Sequence, residues 1–174
     1  MHCDAGSLNA YHRGMNAPAS PASSEPGVLI IGGGLVGASL AIALDAAGIA
    51  ATLVETAAPR VDAQPSYDER NLALARATVN GLDAIGVWKH AAARATPIRH
   101  IRVSRAGEFG SARMDAAKQG VDALGWTLPA RELGAALLRR LDECTRLIRL
   151  APATLSALQP LAEGWRARIQ TADG

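Results

Sequence analysis

The chain has 174 residues, 49% hydrophobic and 20% charged, a composition that suits a globular domain able to bury one sizeable core. A formal net charge of +2, no polybasic block and 3% aromatic residues give no support to nucleic-acid binding. Two cysteines far apart, Cys3 and Cys144, and four scattered histidines, His2, His12, His90 and His100, offer neither a disulfide framework nor a metal-ligand spacing, so no metal is expected and a reducing, cytoplasmic setting is.

Residues 1–26 are rich in Ala, Ser, Pro and Gly, lack periodicity and contain no apolar stretch of the secretory kind, which predicts a disordered leader with Met15 as a second candidate start. The first ordered element is the apolar strand Val28–Ile31. It runs into Gly32, Gly34 and Gly37, a G-x-G-x-x-G spacing, and then into an apolar helix from Leu35 to Ala47, expected to be buried nearly all round and stopped by Gly48. Each glycine has a physical task here: the first permits a tight turn, the second lets a pyrophosphate approach the backbone, and the third lets the helix pack closely on the strand. The free N–H groups of the helix start then face the anion. A second strand, Thr52–Val54, ends on Glu55, whose carboxylate can accept hydrogen bonds from a ribose diol and would repel a 2′-phosphate. The expected adenosine is therefore that of FAD or NAD rather than NADP. The bland alternative is a structural glycine turn between a strand and a helix.

A polar loop, Ala57–Glu69, is long for a connection of this type and leads to Arg70. Leu72–Ala75 reads as a short extended piece, and Ala77–Ile85 as a helix burying Val79, Leu82 and Ile85, ending at Gly86 with Val87 and Trp88 packed on its end. From Thr96 the pattern alternates. Ile98, Ile101 and Val103 lie among arginines, Arg105-Ala106-Gly107 makes a turn, and Phe109 to Met114 returns, predicting an inserted β-hairpin whose polar face carries His100 and Arg102. Leu124–Leu128 is a further strand holding Trp126, either a core residue or a substrate wall. Pro129 introduces a helix from Ala130 to about Cys144, with Leu133, Leu137, Leu138, Leu141 and Cys144 as its buried stripe. Strand Leu147–Leu150 and a hairpin of Thr154–Leu158 with Trp165–Thr171 follow. The closing Ala172-Asp173-Gly174 is a turn signal with no strand after it, which predicts the front portion of a longer protein.

The run Val28–Glu55, the motif Glu69-Arg70-Asn71-Leu72-Ala73-Leu74, Ile85-Gly86-Val87-Trp88, and the segments Thr96–Arg99 and Val103–Gly110 together resemble the ubiquinone-biosynthesis FAD hydroxylases. The stretches Ala95–Ile98 and Ala123–Trp126 are most similar to the branch that hydroxylates 2-polyprenyl-6-methoxyphenol. The resemblance implies an α/β, Rossmann-like FAD-binding domain over residues 27–174, with the hairpin 97–118 belonging to a substrate domain and the C-terminal part of the family's pattern missing. It implies a monooxygenase in which FAD, reduced by NADPH or NADH, reacts with O2 so that one oxygen reaches a prenylated phenol ring. Peripheral association with the inner membrane, or with a ubiquinone-biosynthesis assembly, would go with such a substrate. Gly32, Gly34 and Gly37 would surround the FAD pyrophosphate, Glu55 would bind the adenosine ribose, and Arg70 would contact the FAD through a guanidinium fork that lysine cannot reproduce. Arg131, in the first turn of its helix, opposes the helix dipole unless an anion lies nearby, which points to a flavin phosphate; pairing with Glu132 is the alternative. No catalytic residue is assigned. Another Glu-type FAD oxidoreductase, or a nucleotide-binding chain without activity of its own, stays open beside this reading.

Overall fold

The computed structural model describes residues 27–58, 70–107 and 109–171. The expected leader, most of the polar loop and the closing turn lie outside these residues. Strand β1 (Val28–Ile31) leads through the glycine turn into helix α1 (Leu35–Ala46) and on to β2 (Ala51–Val54), which pairs parallel with β1, Val28 opposite Ala51 and Ile31 opposite Val54. β8 (Leu147–Leu150) adds parallel to the other side of β2, giving the order β1-β2-β8. Apolar residues lie on both faces of this sheet, but only one set is covered: Ile30, Leu53 and Val54 are buried, whereas Val28, Ile31 and Ile148 are exposed.

A second sheet, antiparallel and ordered β3-β7-β4, is built from Asn71–Ala75, Gly125–Pro129 and Thr96–Ile98. Helix α2 (Arg76–Ala84) follows β3 directly, and a short helix α3 (Trp88–Ala91) follows at its end. Helix α4 (Ala130–Asp142) continues straight out of β7 and packs on α1 and α3. One core unites these layers: Ile30 and Leu53 from the parallel sheet, Ala41 and Ile42 from α1, Val87, Leu128 from β7, and Leu133, Leu137 and Leu141 from α4. Two outlying hairpins complete the described residues, β5–β6 (His100–Val103 with Ala112–Asp115) and β9–β10 (Ala153–Leu161 with Gly164–Thr171).

Three expectations are corrected. Helix α1 is not buried all round, because Val36 is 83% exposed and Leu40 47%: its core face is supplied by the small Ala38 and Ala41 with Ile42, and its opposite side meets no layer. The hairpin is shorter than 97–118. Pro97 and Ile98 belong to β4 and pair with Trp126 and Gly125, and the returning strand starts at Ala112, opposite Val103, rather than at Phe109. Helix α4 ends at Asp142, two residues short of the expected end, while Cys144, whose N–H bonds the Leu141 carbonyl, still packs against the core as the stripe predicts.

Candidate functional site

The glycine turn is tightened by contacts that only small residues allow. Gly32 has φ +100°, a left-handed conformation that disfavours any Cβ, and its N–H bonds the Val54 carbonyl at 2.8 Å. Gly37 lies so close to that turn that a Cβ would fall 1.9 Å from the Gly32 carbonyl oxygen and 3.3 Å from Ile30 Cγ2. Its absence of a side chain lets the helix seat on the strand. Gly34 is the N-cap of α1, no side chain caps this end, and the first turn holds no acidic residue. The first amides of α1 are thus left to an anion or to water.

A groove of about 530 Å³ runs over this helix start, lined by Gly32, Gly34 and Gly37, by Ile31, Val36 and Leu40, and by Arg70. Chain distance hides the last of these. Arg70 is brought there by β3, and its carbonyl accepts a hydrogen bond from Ala130 N–H, the first residue of α4, at 2.8 Å. Arg131, one residue on, is not among the groove's lining residues; its Nε lies 3.5 Å from Glu132 Oε1.

Glu55 leaves the end of β2 beside the turn. Its Oε2 accepts from Gly33 N–H at 2.5 Å, and its Oε1 accepts from Ala57 N–H at 2.8 Å and Thr56 Oγ1 at 3.1 Å. A carboxylate offers about four acceptor positions, so capacity for a further donor remains. Burial by itself would raise the pKa of this group, but the donors on its oxygens, Ala57 and Gly33 foremost, together outweigh that and hold it below the ordinary value of 4.5. The carboxylate is therefore ionised at neutral pH. A small cavity beside it is bounded by Gly33, Leu53, Leu138 and Arg149, the last paired with Asp142 at 2.5 Å.

Sequence reasoning missed Gly33, the middle residue of the triplet. A Cβ there would sit 3.1 Å from Glu55 Cβ and 3.2 Å from its Oε2, so Gly33 is what allows the carboxylate to close on the turn. The signal was the triplet itself, Gly32-Gly33-Gly34, where the spacing asks for only two glycines. Arg149 was also missed, since only strand pairing of β8 with β2 brings it near Glu55. Trp126 is a packing residue. It is half-buried and stacks edge-to-face with Trp88, ring centroids 5.7 Å apart.

A parallel βαβ unit with an uncapped glycine-turn helix, a strand-end carboxylate and an arginine across the groove defines a nucleotide-binding α/β protein. The diphosphate of a dinucleotide fits it, because the turn is bare of side chains, the helix start has unclaimed donors and Arg70 adds positive charge. The chain belongs to the FAD binding domain family, whose model matches residues 25–159. It is 33% identical over 169 residues to the ubiquinone hydroxylase UbiL of Rhodospirillum rubrum, covering 90% of this chain and 38% of that protein. It is also 33% identical over 135 residues to 3-demethoxyubiquinol 3-hydroxylase of Escherichia coli, covering 75% and 34%. The chain thus spans little more than a third of the length of these relatives. Solved structures of p-nitrophenol 4-monooxygenase PnpA from Pseudomonas putida (TM-score 0.65, 20% identity, 85% of this chain and 36% of that one) and OxyS anhydrotetracycline hydroxylase from Streptomyces rimosus (0.66, 23%, 85% and 28%) share its fold.

Proposed function

We propose that this chain is the FAD-binding part of a flavin-dependent aromatic monooxygenase that hydroxylates a polyprenylated methoxyphenol in ubiquinone biosynthesis. The observation that carries the reading is the groove in which Gly32, Gly34 and Gly37 meet Arg70, in a chain whose curated relatives are ubiquinone-pathway hydroxylases. On this reading the parallel sheet is the Rossmann-like half of the protein and the β5–β6 hairpin the first piece of a substrate domain.

FAD, when bound, supplies the oxygen chemistry, with NADPH or NADH as reductant and O2 as co-substrate. The residues here bind and orient it. The α1 amides and Arg70 hold the diphosphate, and Glu55 accepts from the adenosine ribose while its other donors keep it fixed; Arg131, outside the groove lining and beside Glu132, is given no contact in this arrangement. The supporting facts are the family match, the ionised Glu55 and the uncapped helix start.

The test is to purify the protein as its gene encodes it, release any noncovalent flavin by denaturation, and assay hydroxylation of a short-chain prenylated methoxyphenol with NADPH and with NADH. Stoichiometric FAD and product formation are expected. A protein that carries no flavin and gains none on titration would overturn the reading.

A further inference from the structure

We propose that Gly33 is a positioning residue that sets specificity: bare of a side chain, it seats the Glu55 carboxylate against the turn, where that carboxylate reads the 2′-hydroxyl of the FAD adenosine ribose. The inference rests on the flavin reading above. The glycines of this turn do not share one reason for being glycine. Gly32 is held to it by its backbone, with φ +100°, and Gly37 by the Gly32 carbonyl that a Cβ would strike. Gly33 is not among the glycines of positive φ, so its backbone conformation is open to alanine. What opposes a side chain there is space, and one residue fills it. The three heavy atoms nearest to a Cβ on Gly33 are all of Glu55: Cβ at 3.1 Å, and Cγ and Oε2 at 3.2 Å.

Glu55 in turn takes its place from Gly33. Of its donors, Thr56 and Ala57 are its own chain neighbours and travel with it, whereas Gly33 N–H, 22 residues away, ties the carboxylate to the turn at 2.5 Å. Arg149 lines the same small cavity from β8, with its guanidinium paired to Asp142. A Cβ on residue 33 would make Glu55 give by a few tenths of an ångström, and a hydrogen bond weakens as its alignment is lost. The diphosphate, on the proposed reading held by the α1 amides and Arg70, does not depend on that carboxylate. A side chain at position 33 therefore acts on recognition of the ribose hydroxyl and spares the rest of the cofactor.

The experiment is a fluorescence titration of the protein as its gene encodes it, stripped of flavin, with FAD and with the 2′-deoxyadenosine analogue of FAD. The parent should prefer FAD roughly tenfold, the effect of one hydrogen bond to a charged group. In G33A the preference should drop to roughly threefold and in G33V to about one, by loss of FAD affinity with little change for the deoxy analogue. A glycine that served only the turn would weaken both cofactors alike when replaced. In the E55A background the preference should be absent, and adding G33A should leave FAD affinity where E55A puts it, because Gly33 acts through Glu55. Both single variants should unfold cooperatively without flavin, since no left-handed φ is involved. A flavin-free G33A that fails to fold would overturn the proposal, because the turn and not Glu55 would then require the glycine. So would an unchanged preference in both variants, a parallel loss of affinity for both cofactors, or a parent that binds FAD without preference. A parent that binds neither cofactor would overturn the flavin reading itself, and this inference with it.

Discussion

Glu55 serves the turn through its contacts to Gly33, Thr56 and Ala57, and the proposed function gives it a ligand as well. Removing it in E55A frees the Gly33 and Ala57 amides and, on the proposed reading, deletes an acceptor for the ribose, so FAD affinity should fall roughly ten- to a hundredfold, about 1.5–3 kcal/mol, in a fluorescence titration. Because the folded-state pKa lies below 4.5, the stabilisation by the carboxylate is complete above that value and is lost as pH falls through the folded pKa. Unfolding free energy of the parent should therefore decline on acidification below 4.5, and E55Q, weaker at neutral pH, should show a smaller decline there. G37A tests the close approach. Its Cβ would meet the Gly32 carbonyl, so the helix start must move and FAD binding should be lost, whereas R70K should keep the charge and weaken binding by loss of the fork alone. Unchanged FAD affinity in R70K would place that guanidinium outside the flavin contact.

At the scale of elements, α4 is the piece that ties the two sheets together. Leu137 on its inner face is fully buried against the common core, and L137A should cost about 2–5 kcal/mol in a urea unfolding series. Asp45, at the last turn of α1, fixes the entry to β8: its Oδ1 accepts from Thr145 N–H at 3.0 Å and Arg146 N–H at 2.8 Å, and Oδ2 lies 3.8 Å from the Arg140 guanidinium. The Arg146 amide foremost holds its carboxyl below 3.8, against the opposing effect of burial. D45A should lower stability by about 1 kcal/mol, with greater loss of protection in amide exchange at β8 than at β3. Equal loss at both strands would show that Asp45 acts on the whole core rather than on that junction.

On the whole-molecule scale, the groove over α1 is open, with Ile31, Val36 and Leu40 exposed along it. A dinucleotide seated there binds only the folded chain, so FAD should raise the thermal midpoint in proportion to the logarithm of its concentration. The 174-residue chain by itself should show no hydroxylation of a prenylated phenol, since it spans 38% of the length of its Rhodospirillum relative and a hydroxylase must wall its ring site from water. Coupled product formation by this chain would refute that expectation.

The residue sequence by itself determined the local pieces: Val28–Ile31, the glycine spacing and the apolar run to Ala46 encode strand, turn and helix through periodicity and backbone freedom, which act over a few residues. The α4 stripe and both hairpins were legible for the same reason. What only the tertiary structure decided was proximity across the chain. It placed Arg70 on the Gly32 turn and Arg149 beside Glu55, left Arg131 outside the groove lining, and moved Pro97–Ile98 from the hairpin into the second sheet. Those outcomes depend on which strand edges pair and which faces find a partner layer, and no local pattern carries that information. The exposure of Val36 and Leu40 makes the point in reverse: their apolarity is written in the sequence, but whether a layer covers them is settled by packing alone.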